Sequence, residues 1–257
     1  MRLETRDLSI TYVTSMGQHS ALRNVTIGIE RGRTLGIVGE SGSGKSTVAS
    51  ALMRLLPKST RIEGDIALDG VSLLGLSDAE MRKVRGKRIG MIMQDSLAAL
   101  NPMFTVGDQL LETLRHHMPH LSGSEARRRV IAAFEEVGLD PQRAKAYPHQ
   151  FSGGMRQRAM IAAALLPEPE FLIADESTSD LDTISQRSVL NLLKRVQETH
   201  KLGLIVITHD FGVVRDICAD VAVFYRGDLI ELGPTAQVLS APQQEYTAGL
   251  VRIAAKT

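Results

Sequence analysis

A glycine-rich segment, residues 39–47, has the residue types and spacing that hold phosphate groups. It reads Gly-Glu-Ser-Gly-Ser-Gly-Lys-Ser-Thr, and its glycines let backbone N–H groups turn towards a phosphate chain. Lys45 adds a positive charge, and Ser46 adds a hydroxyl that can hold Mg²⁺. An apolar run at 34–38 precedes the segment and a helical pattern begins at Lys45, which is the strand–loop–helix order that this motif requires. The predicted nucleotide-binding residues of this phosphate loop are Gly39, Ser41, Gly42, Gly44, Lys45, Ser46 and Thr47.

Two adjacent carboxylates, Asp175 and Glu176, follow a second apolar run at 171–174. Ligands of open α/β sheets bind just past the carboxyl ends of the strands, where this pair is expected to lie. Asp175 is predicted to hold Mg²⁺, directly or through water, and Glu176 to orient or deprotonate an attacking water. An acid pair after a strand is weak evidence by itself, but in a chain with a phosphate loop it predicts nucleotide hydrolysis.

A second glycine motif occupies residues 151–158, Phe-Ser-Gly-Gly-Met-Arg-Gln-Arg, and a helical run follows it. Ser152 supplies a hydroxyl, and Gly153 and Gly154 supply N–H groups at a helix start, so the segment can face a phosphate. The alternative is a Gly-Gly helix cap with a basic exposed face. Because one ATP has no evident need of two such sites from a single chain, we infer that this motif serves a nucleotide held by a partner chain.

The elements that must position these groups alternate between strands and helices. Apolar or β-branched runs predict strands at 8–13, 25–29, 34–38, 62–68, 171–175 and 204–208, and a hairpin at 221–232. Helical periodicity covers 45–56, 125–137 and 184–199, and the region from about 95 to 166 is mostly helical. The chain is thus predicted to be an α/β protein.

Composition narrows the classes of partner. With 30 Lys and Arg against 29 Asp and Glu the formal net charge is +1, and aromatic residues make up 4% without Trp, so no nucleic acid partner is expected. The single cysteine, Cys218, excludes an internal disulfide and is predicted to be buried. The apolar runs are far shorter than the roughly 20 residues that cross a bilayer, so any membrane is expected to be spanned by another chain.

Taken together, these motifs resemble those of the ATP-binding-cassette (ABC) family, and the resemblance spans nearly the whole chain. Residues 152–157, Ser-Gly-Gly-Met-Arg-Gln, resemble the family's signature motif. The resemblance implies a P-loop NTPase fold with a RecA-like core, an N-terminal antiparallel β subdomain and an inserted α-helical subdomain. It places the helical subdomain at about 95–165 and a short tail at about 234–257, within one domain of residues 1–257.

Four further residues are assigned roles by this resemblance alone. Gln94 looks like the glutamine of the family's Q-loop, which takes part in catalysis and metal binding. Asp182 ends a segment, 179–182, that looks like the D-loop and binds nucleotide. His209 looks like the switch histidine of catalysis, and Tyr12 is placed like the aromatic residue that stacks on adenine.

The family's mechanism implies several partners. Two ATPase subunits, identical or paralogous, form a head-to-tail dimer that sandwiches two MgATP. Two transmembrane permease subunits carry the cargo, and an extracytoplasmic solute-binding protein delivers it. The chain would then sit peripherally on the cytoplasmic face of the inner membrane, with a permease helix docked near residues 94–109.

Within the family, the tail residues Glu245, Tyr246 and Thr247 and the segments 93–95 and 100–102 resemble the peptide/nickel importer group. That group imports dipeptides, oligopeptides, nickel and metal-chelating opines. Two positions depart from the family pattern: Ser177 stands where proline is usual, and Asp180 stands where alanine is common. Both are next to the predicted hydrolysis residues in sequence, so they bear on the turnover rate rather than on nucleotide binding.

Two other classes of ATPase share these motifs. DNA-repair and chromosome-organising ATPases usually carry a long coiled coil between the phosphate loop and the signature, whereas here about a hundred residues intervene without sustained heptads. Translation-associated ABC proteins join two cassettes in one chain, and this chain has one. The transporter subunit is therefore favoured over both.

Overall fold

The structure, a computed structural model, describes residues 1–15, 17–93, 99–178 and 181–254. Its contacts divide the chain into two units, the first formed by Met1–Met81 with Gly203–Thr257 and the second by Arg82–Leu202. Gln94, Ser179 and Asp180, which the sequence analysis singles out, lie outside the described residues. The single domain with an inserted subdomain at 95–165 and a tail at 234–257 stays a prediction.

Strands and helices are numbered along the chain. The strands are β1 (Arg2–Thr14), β2 (Gly17–Val25), β3 (Gly28–Glu30), β4 (Thr34–Gly39), β5 (Arg61–Leu68), β6 (Val71–Ser72), β7 (Ile89–Ile92), β8 (Phe171–Asp175), β9 (Gly203–Thr208), β10 (Asp220–Tyr225) and β11 (Asp228–Pro234). The helices are α1 (Lys45–Leu52), α2 (Asp78–Val84), α3 (Val106–His117), α4 (Gly123–Glu136), α5 (Gly153–Leu165), α6 (Thr183–His200), α7 (Phe211–Ile217), α8 (Thr235–Ser240) and α9 (Glu245–Ala254). Two short 3₁₀ helices, Pro141–Lys145 and Pro148–Gln150, precede α5.

The first unit is built on a sheet in the strand order β6-β5-β1-β2-β11-β10-β4-β9, with β3 also paired to β1. Around β1 the pairing is antiparallel, which confirms the predicted N-terminal antiparallel sheet. Strands β10, β4 and β9 are parallel, and β10 and β11 form the predicted hairpin. All six residues of β9 are buried, as expected for a central strand of a covered parallel sheet.

The second unit joins the parallel pair β7 and β8 to the helices α3 to α6. Side-chain oxygens cap these helices: Thr105 accepts from the N–H of Asp108 to start α3, and Ser122 accepts from the N–H of Glu125 to start α4. Phe134 of α4 and Phe171 of β8 are fully buried in its core. Among the described residues, no helix combines the length and hydrophobicity needed to cross a membrane.

Three sequence predictions of element bounds were wrong. The strand predicted at 8–13 begins six residues earlier, at Arg2, as β1. The strand predicted at 25–29 is divided between β2 and β3, because the buried Thr5 hydroxyl donates to the Val25 carbonyl at 2.9 Å and accepts from the Ile27 N–H at 3.1 Å in place of a regular ladder. The helix predicted to reach residue 56 ends at Leu52, since Arg54 has a φ of +48° that no α-helix accommodates. The predicted burial of Cys218 is confirmed, and this burial raises the pKa of its thiol to about 12.

Candidate nucleotide site

The phosphate loop of the first unit leaves the end of β4 and enters α1 through glycines with positive φ. Gly39 has φ +154°, and a Cβ there would lie 2.2 Å from the Phe224 carbonyl oxygen. Gly44, which precedes α1, has φ +102°, and its Cβ would lie 2.7 Å from the Ala21 carbonyl oxygen. Any side chain at these two positions would therefore push the loop off the strands beneath it.

Lys45 fixes the shape of the loop. Its side chain is 96% buried, and its ammonium group donates hydrogen bonds to the carbonyl oxygens of Gly39 and Glu40, each at 2.9 Å. A buried ammonium requires such partners because desolvation of an unpaired charge is costly. The first residue of the helix thus ties together both ends of the loop and holds a positive charge at its centre.

The other predicted residues of the first unit lie around this loop. Ser41, Gly42 and Ser46 are exposed and Thr47 is half-buried. The hydroxyl of Tyr12 donates to the Thr47 hydroxyl at 3.3 Å, which brings the predicted adenine-stacking residue to the start of α1. The predicted loop residues and Tyr12 are thereby brought together.

One buried atom of the loop shows how well it suits a phosphate. The Ser43 hydroxyl is buried and finds no hydrogen-bond partner within the described part of the chain. The Ser43 carbonyl accepts from the N–H of Gly227, in the turn between β10 and β11, at 3.0 Å. An unsatisfied hydroxyl in a loop whose glycines and helix start suit phosphate oxygens is a donor ready for such a ligand.

The register of the sheet places His209 at the same edge as the loop. Val38 of β4 pairs with Thr208 of β9, so that Gly39 and His209 follow these paired residues as the two parallel strands end. His209 is exposed and lines a groove of about 660 Å³ with Asp210 and Phe211 of the α7 start and Leu250 of α9.

The acid pair belongs to the second unit. Asp175 ends β8 and is 6% exposed, while Glu176 is half-buried with φ +42°, a left-handed conformation that is unusual for a side chain other than glycine. Ala174 of β8 pairs with Ile92 of β7, so that Met93 and Asp175 follow these paired residues at the same edge. Ser177, the residue after Glu176, is buried.

The signature-like residues start α5 in the same unit. Ser152 is exposed and caps the helix, because its hydroxyl accepts from the N–H of Met155 at 3.3 Å. Gly153 and Gly154 lie in the first turn, where built Cβ atoms would lie 3.3 Å from the side chains of Leu181 and Ser185. The small residues thus let the start of α5 approach the start of α6 closely.

Asp182 acts as a helix cap in this structure. Its carboxylate accepts from the N–H groups of Ile184 at 3.1 Å and Ser185 at 3.0 Å, and its hydrogen bonds with Ser185 are the main cause that lowers its pKa. Its contact with nucleotide stays a prediction, as do the roles of His209, Glu176 and the other site residues.

A contact that the sequence did not predict as functional is that of Tyr246 with Glu40 of the phosphate loop. In the sequence, the only indication that Tyr246 has a function was the resemblance of the surrounding tail to one importer group.

Comparison with known proteins supports the family suggested by these features. A family model described as ABC transporter matches residues 22–179. The oligopeptide transport ATP-binding protein OppD of Bacillus subtilis is 43% identical over 253 residues, which are 97% of this chain and 70% of that protein. The dipeptide transport ATP-binding protein DppD of the same organism is 45% identical over 253 residues, 97% of this chain and 75% of that protein.

A solved structure has the same fold. The dimeric, post-hydrolysis ATP-binding cassette MJ0796 bound to ADP and Pi is 29% identical, with a TM-score of 0.80 over 91% of this chain and 98% of that one. This match confirms the ABC ATPase fold that the sequence motifs predict. A family model over residues 22–179 and relatives 43–45% identical over 97% of its length show that the chain belongs to the ABC transporter family.

Proposed function

We propose that this chain is the ATP-binding and ATP-hydrolysing subunit of an importer for peptides. The observation that carries the proposal is the phosphate loop folded around the buried Lys45 ammonium. The two sequence relatives described above are named for oligopeptide and dipeptide transport, which favours peptides as the cargo and transport over a role in DNA repair or translation. Uptake of nickel or metal chelates stays a prediction of the subgroup resemblance.

ATP is the substrate that suits the first unit. Lys45, the N–H groups of the loop and the Ser43 hydroxyl together offer one charge and several donors to phosphate oxygens. Tyr12, held near α1 by its bond to Thr47, is the proposed platform for the adenine ring. ADP would keep the contacts to its two phosphates and lose those to the γ-phosphate.

Hydrolysis is assigned to residues that can position a water. Glu176, a half-buried carboxylate, orients or deprotonates the attacking water, and His209 assists. A bound Mg²⁺ would neutralise charge on the phosphates, and we assign its binding to Ser46, Asp175 and Gln94, whose hydroxyl, carboxylate and amide oxygens are of the kind that this hard cation prefers. No cluster of three or more His, Cys, Asp or Glu residues within the described ranges offers another metal site.

The second motif implies a dimer. Ser152, Gly153 and Gly154 present a hydroxyl and a helix start, and we assign them to a nucleotide held by a second ATPase subunit, identical or paralogous, in a head-to-tail pair. The dimeric MJ0796 structure is a precedent for pairing of such cassettes. Asp182, at the start of α6, is assigned to the same interface.

The membrane-spanning work is assigned to two permease subunits, with an extracytoplasmic solute-binding protein delivering the peptide. The segment before α3 exposes two large apolar side chains, Met103 and Phe104, at 77% and 56% of their surface. Apolar side chains exposed together mark a protein-binding surface, and we place a permease helix there. The chain then lies at the cytoplasmic face of the inner membrane.

The first test removes the charge of the phosphate loop. Lys45→Ala should weaken ATP binding about 10- to 100-fold, the effect of losing a charge-assisted hydrogen bond worth about 1.5–3 kcal/mol. Isothermal calorimetry with ATP measures this change, and Lys58→Ala, which removes an exposed lysine shortly after α1, is the matched control. Equal ATP affinity in Lys45→Ala and the control would overturn the assignment.

The second test separates binding from chemistry. Glu176→Gln should bind ATP as wild type does but hydrolyse it at least about 100-fold more slowly, because the amide cannot act as a base. The control is Glu198→Gln, at an exposed position of α6. Phosphate release measures the rate, and turnover near that of wild type would move the catalytic role to another residue, with His209 the next candidate.

The third test addresses the shared site. Lys45→Ala and Ser152→Arg should each abolish ATPase activity, and an equal mixture of the two should regain part of it, since a mixed dimer contains one site with both defects and one with neither. Mixing two Lys45→Ala preparations is the control. Once Glu176→Gln with ATP has been shown to dimerise, a mixture without activity would mean either that the two sites are obligately coupled or that Ser152 does not face the partner's nucleotide. A crosslink between cysteines introduced at Ser41 and Gly153, formed only between chains and only with ATP, would show the first.

The fourth test concerns the cargo. Vesicles that contain the chain together with its copurified permease subunits and solute-binding protein should take up a labelled tripeptide only with ATP, and those with Glu176→Gln should not. Labelled nickel serves as the competing cargo in the same vesicles. ATP-dependent uptake of nickel without uptake of the peptide would reject the peptide assignment and leave the ATPase assignment intact.

A further inference from the structure

The second residue of the last described helix, α9, is a tyrosine that packs against the parallel part of the sheet. The ring of Tyr246 lies 4.3 Å, centroid to centroid, from that of Tyr225 at the end of β10, with the planes tilted by 43°. The next residues, Arg226 and Gly227, form the turn in which the Gly227 N–H donates to the Ser43 carbonyl of the phosphate loop at 3.0 Å. Tyr246 therefore rests on a strand end that is itself attached to the loop.

The hydroxyl of Tyr246 lies beside Glu40, the second residue of the phosphate loop. Burial raises the pKa of this phenol, and contact with the backbone and carboxylate of Glu40 shifts it further, the backbone lowering it and the carboxylate raising it. The hydroxyl oxygen is buried, yet it makes no hydrogen bond of standard geometry to any described residue. A tyrosine hydroxyl can both donate and accept a hydrogen bond. A small displacement would therefore let it accept from the backbone N–H of Glu40 or donate to the Glu40 carboxylate.

Glu40 is one of the two loop residues whose carbonyl oxygens bind the Lys45 ammonium, the other being Gly39. The Glu40 carbonyl oxygen accepts from the Lys45 ammonium at 2.9 Å and from the Ser43 N–H at 3.2 Å. A hydrogen bond to Glu40 therefore acts on the orientation of Lys45, the charged group at the phosphates.

Helix α9 gives Tyr246 a fixed support. Thr247 is fully buried, and farther along the helix Leu250 and Val251 line a groove shared with Phe211 of α7. The buried Thr247 fixes the helix directly after Tyr246, and the packing of Tyr246 on Tyr225 fixes the ring that carries the hydroxyl.

We propose that Tyr246 is a positioning residue of the nucleotide site, whose hydroxyl bonds to Glu40 when the phosphate loop closes on the phosphates of ATP. The proposal rests on the nucleotide binding described above and adds to it a residue to which the sequence analysis assigned no role at the nucleotide. Tyr246 touches no phosphate itself; it holds the loop segment that orients Lys45.

Tyr246→Phe tests this role, because it removes the hydroxyl and keeps the ring on Tyr225. The matched control is Thr247→Val, which removes a neighbouring buried hydroxyl that also has no partner in the described structure. Since neither hydroxyl makes a standard hydrogen bond, both variants should unfold at nearly the wild-type temperature without nucleotide. Only Tyr246→Phe should weaken ATP binding, by about 3- to 10-fold, the effect of one hydrogen bond.

Kinetics then distinguishes positioning from general loss of structure. Tyr246→Phe should raise KM for ATP by the same 3- to 10-fold and change kcat less than about twofold, as expected when a binding interaction is lost equally from the ground and transition states. Calorimetry with ATP and phosphate-release assays supply the two readouts. Wild-type ATP affinity in Tyr246→Phe would overturn this role while leaving the proposed function standing, and so would an equal loss of affinity in Thr247→Val. Failure of the wild-type protein to bind ATP would instead overturn both.

Discussion

The nucleotide site of the first unit depends on one buried positive charge. Lys45 is only 4% exposed as a residue, and a buried ammonium is stable only if it has hydrogen-bond partners; the loop supplies the carbonyls of Gly39 and Glu40. To present both carbonyls to Lys45, the backbone must double back between β4 and α1. Only residues without a Cβ fit its tightest points, because neighbouring carbonyl oxygens lie 2.2 Å and 2.7 Å from where Cβ atoms of Gly39 and Gly44 would be. The spacing of the glycines thus follows from the backbone path that brings two carbonyl oxygens to the Lys45 ammonium.

Strand register explains how residues distant in sequence reach the same edge within each unit. In the first unit the pairing of Val38 with Thr208 brings Gly39 and His209 to the ends of adjacent parallel strands. In the second unit the pairing of Ile92 with Ala174 likewise brings Met93 and Asp175 to the ends of adjacent parallel strands. Because parallel strands end on the same side, a register shift of two residues would move a functional side chain by about 6.6 Å. The buried, apolar strands hold this register by packing on both faces.

Structural features that depend on residues close together in the sequence could be predicted from it. Features that depend on contacts between residues far apart in the sequence could not. The phosphate loop, the helix start at Gly153 and the β10–β11 hairpin depend on local spacing, and the structure contains all three. The division of β2 from β3 depends on the Thr5 hydroxyl, about 20 residues away in sequence. The contact of Tyr246 with Glu40 joins residues about 200 positions apart, and no periodicity or spacing rule can indicate it.

The backbone conformation of Glu176 explains how serine at position 177 bears on the catalytic role proposed for Glu176. A left-handed φ of +42° at a glutamate costs roughly 1–2 kcal/mol, so packing around β8 must hold it. A proline in the following position would push the preceding residue towards extended backbone, whereas Ser177 imposes no such restriction. Serine at this position is therefore compatible with the observed conformation, in which the half-buried Glu176 follows the buried Asp175. Its orientation depends on the packing of its own unit rather than on a rigid neighbour, so the turnover rate should respond to substitutions that loosen the end of β8 more than ATP affinity does.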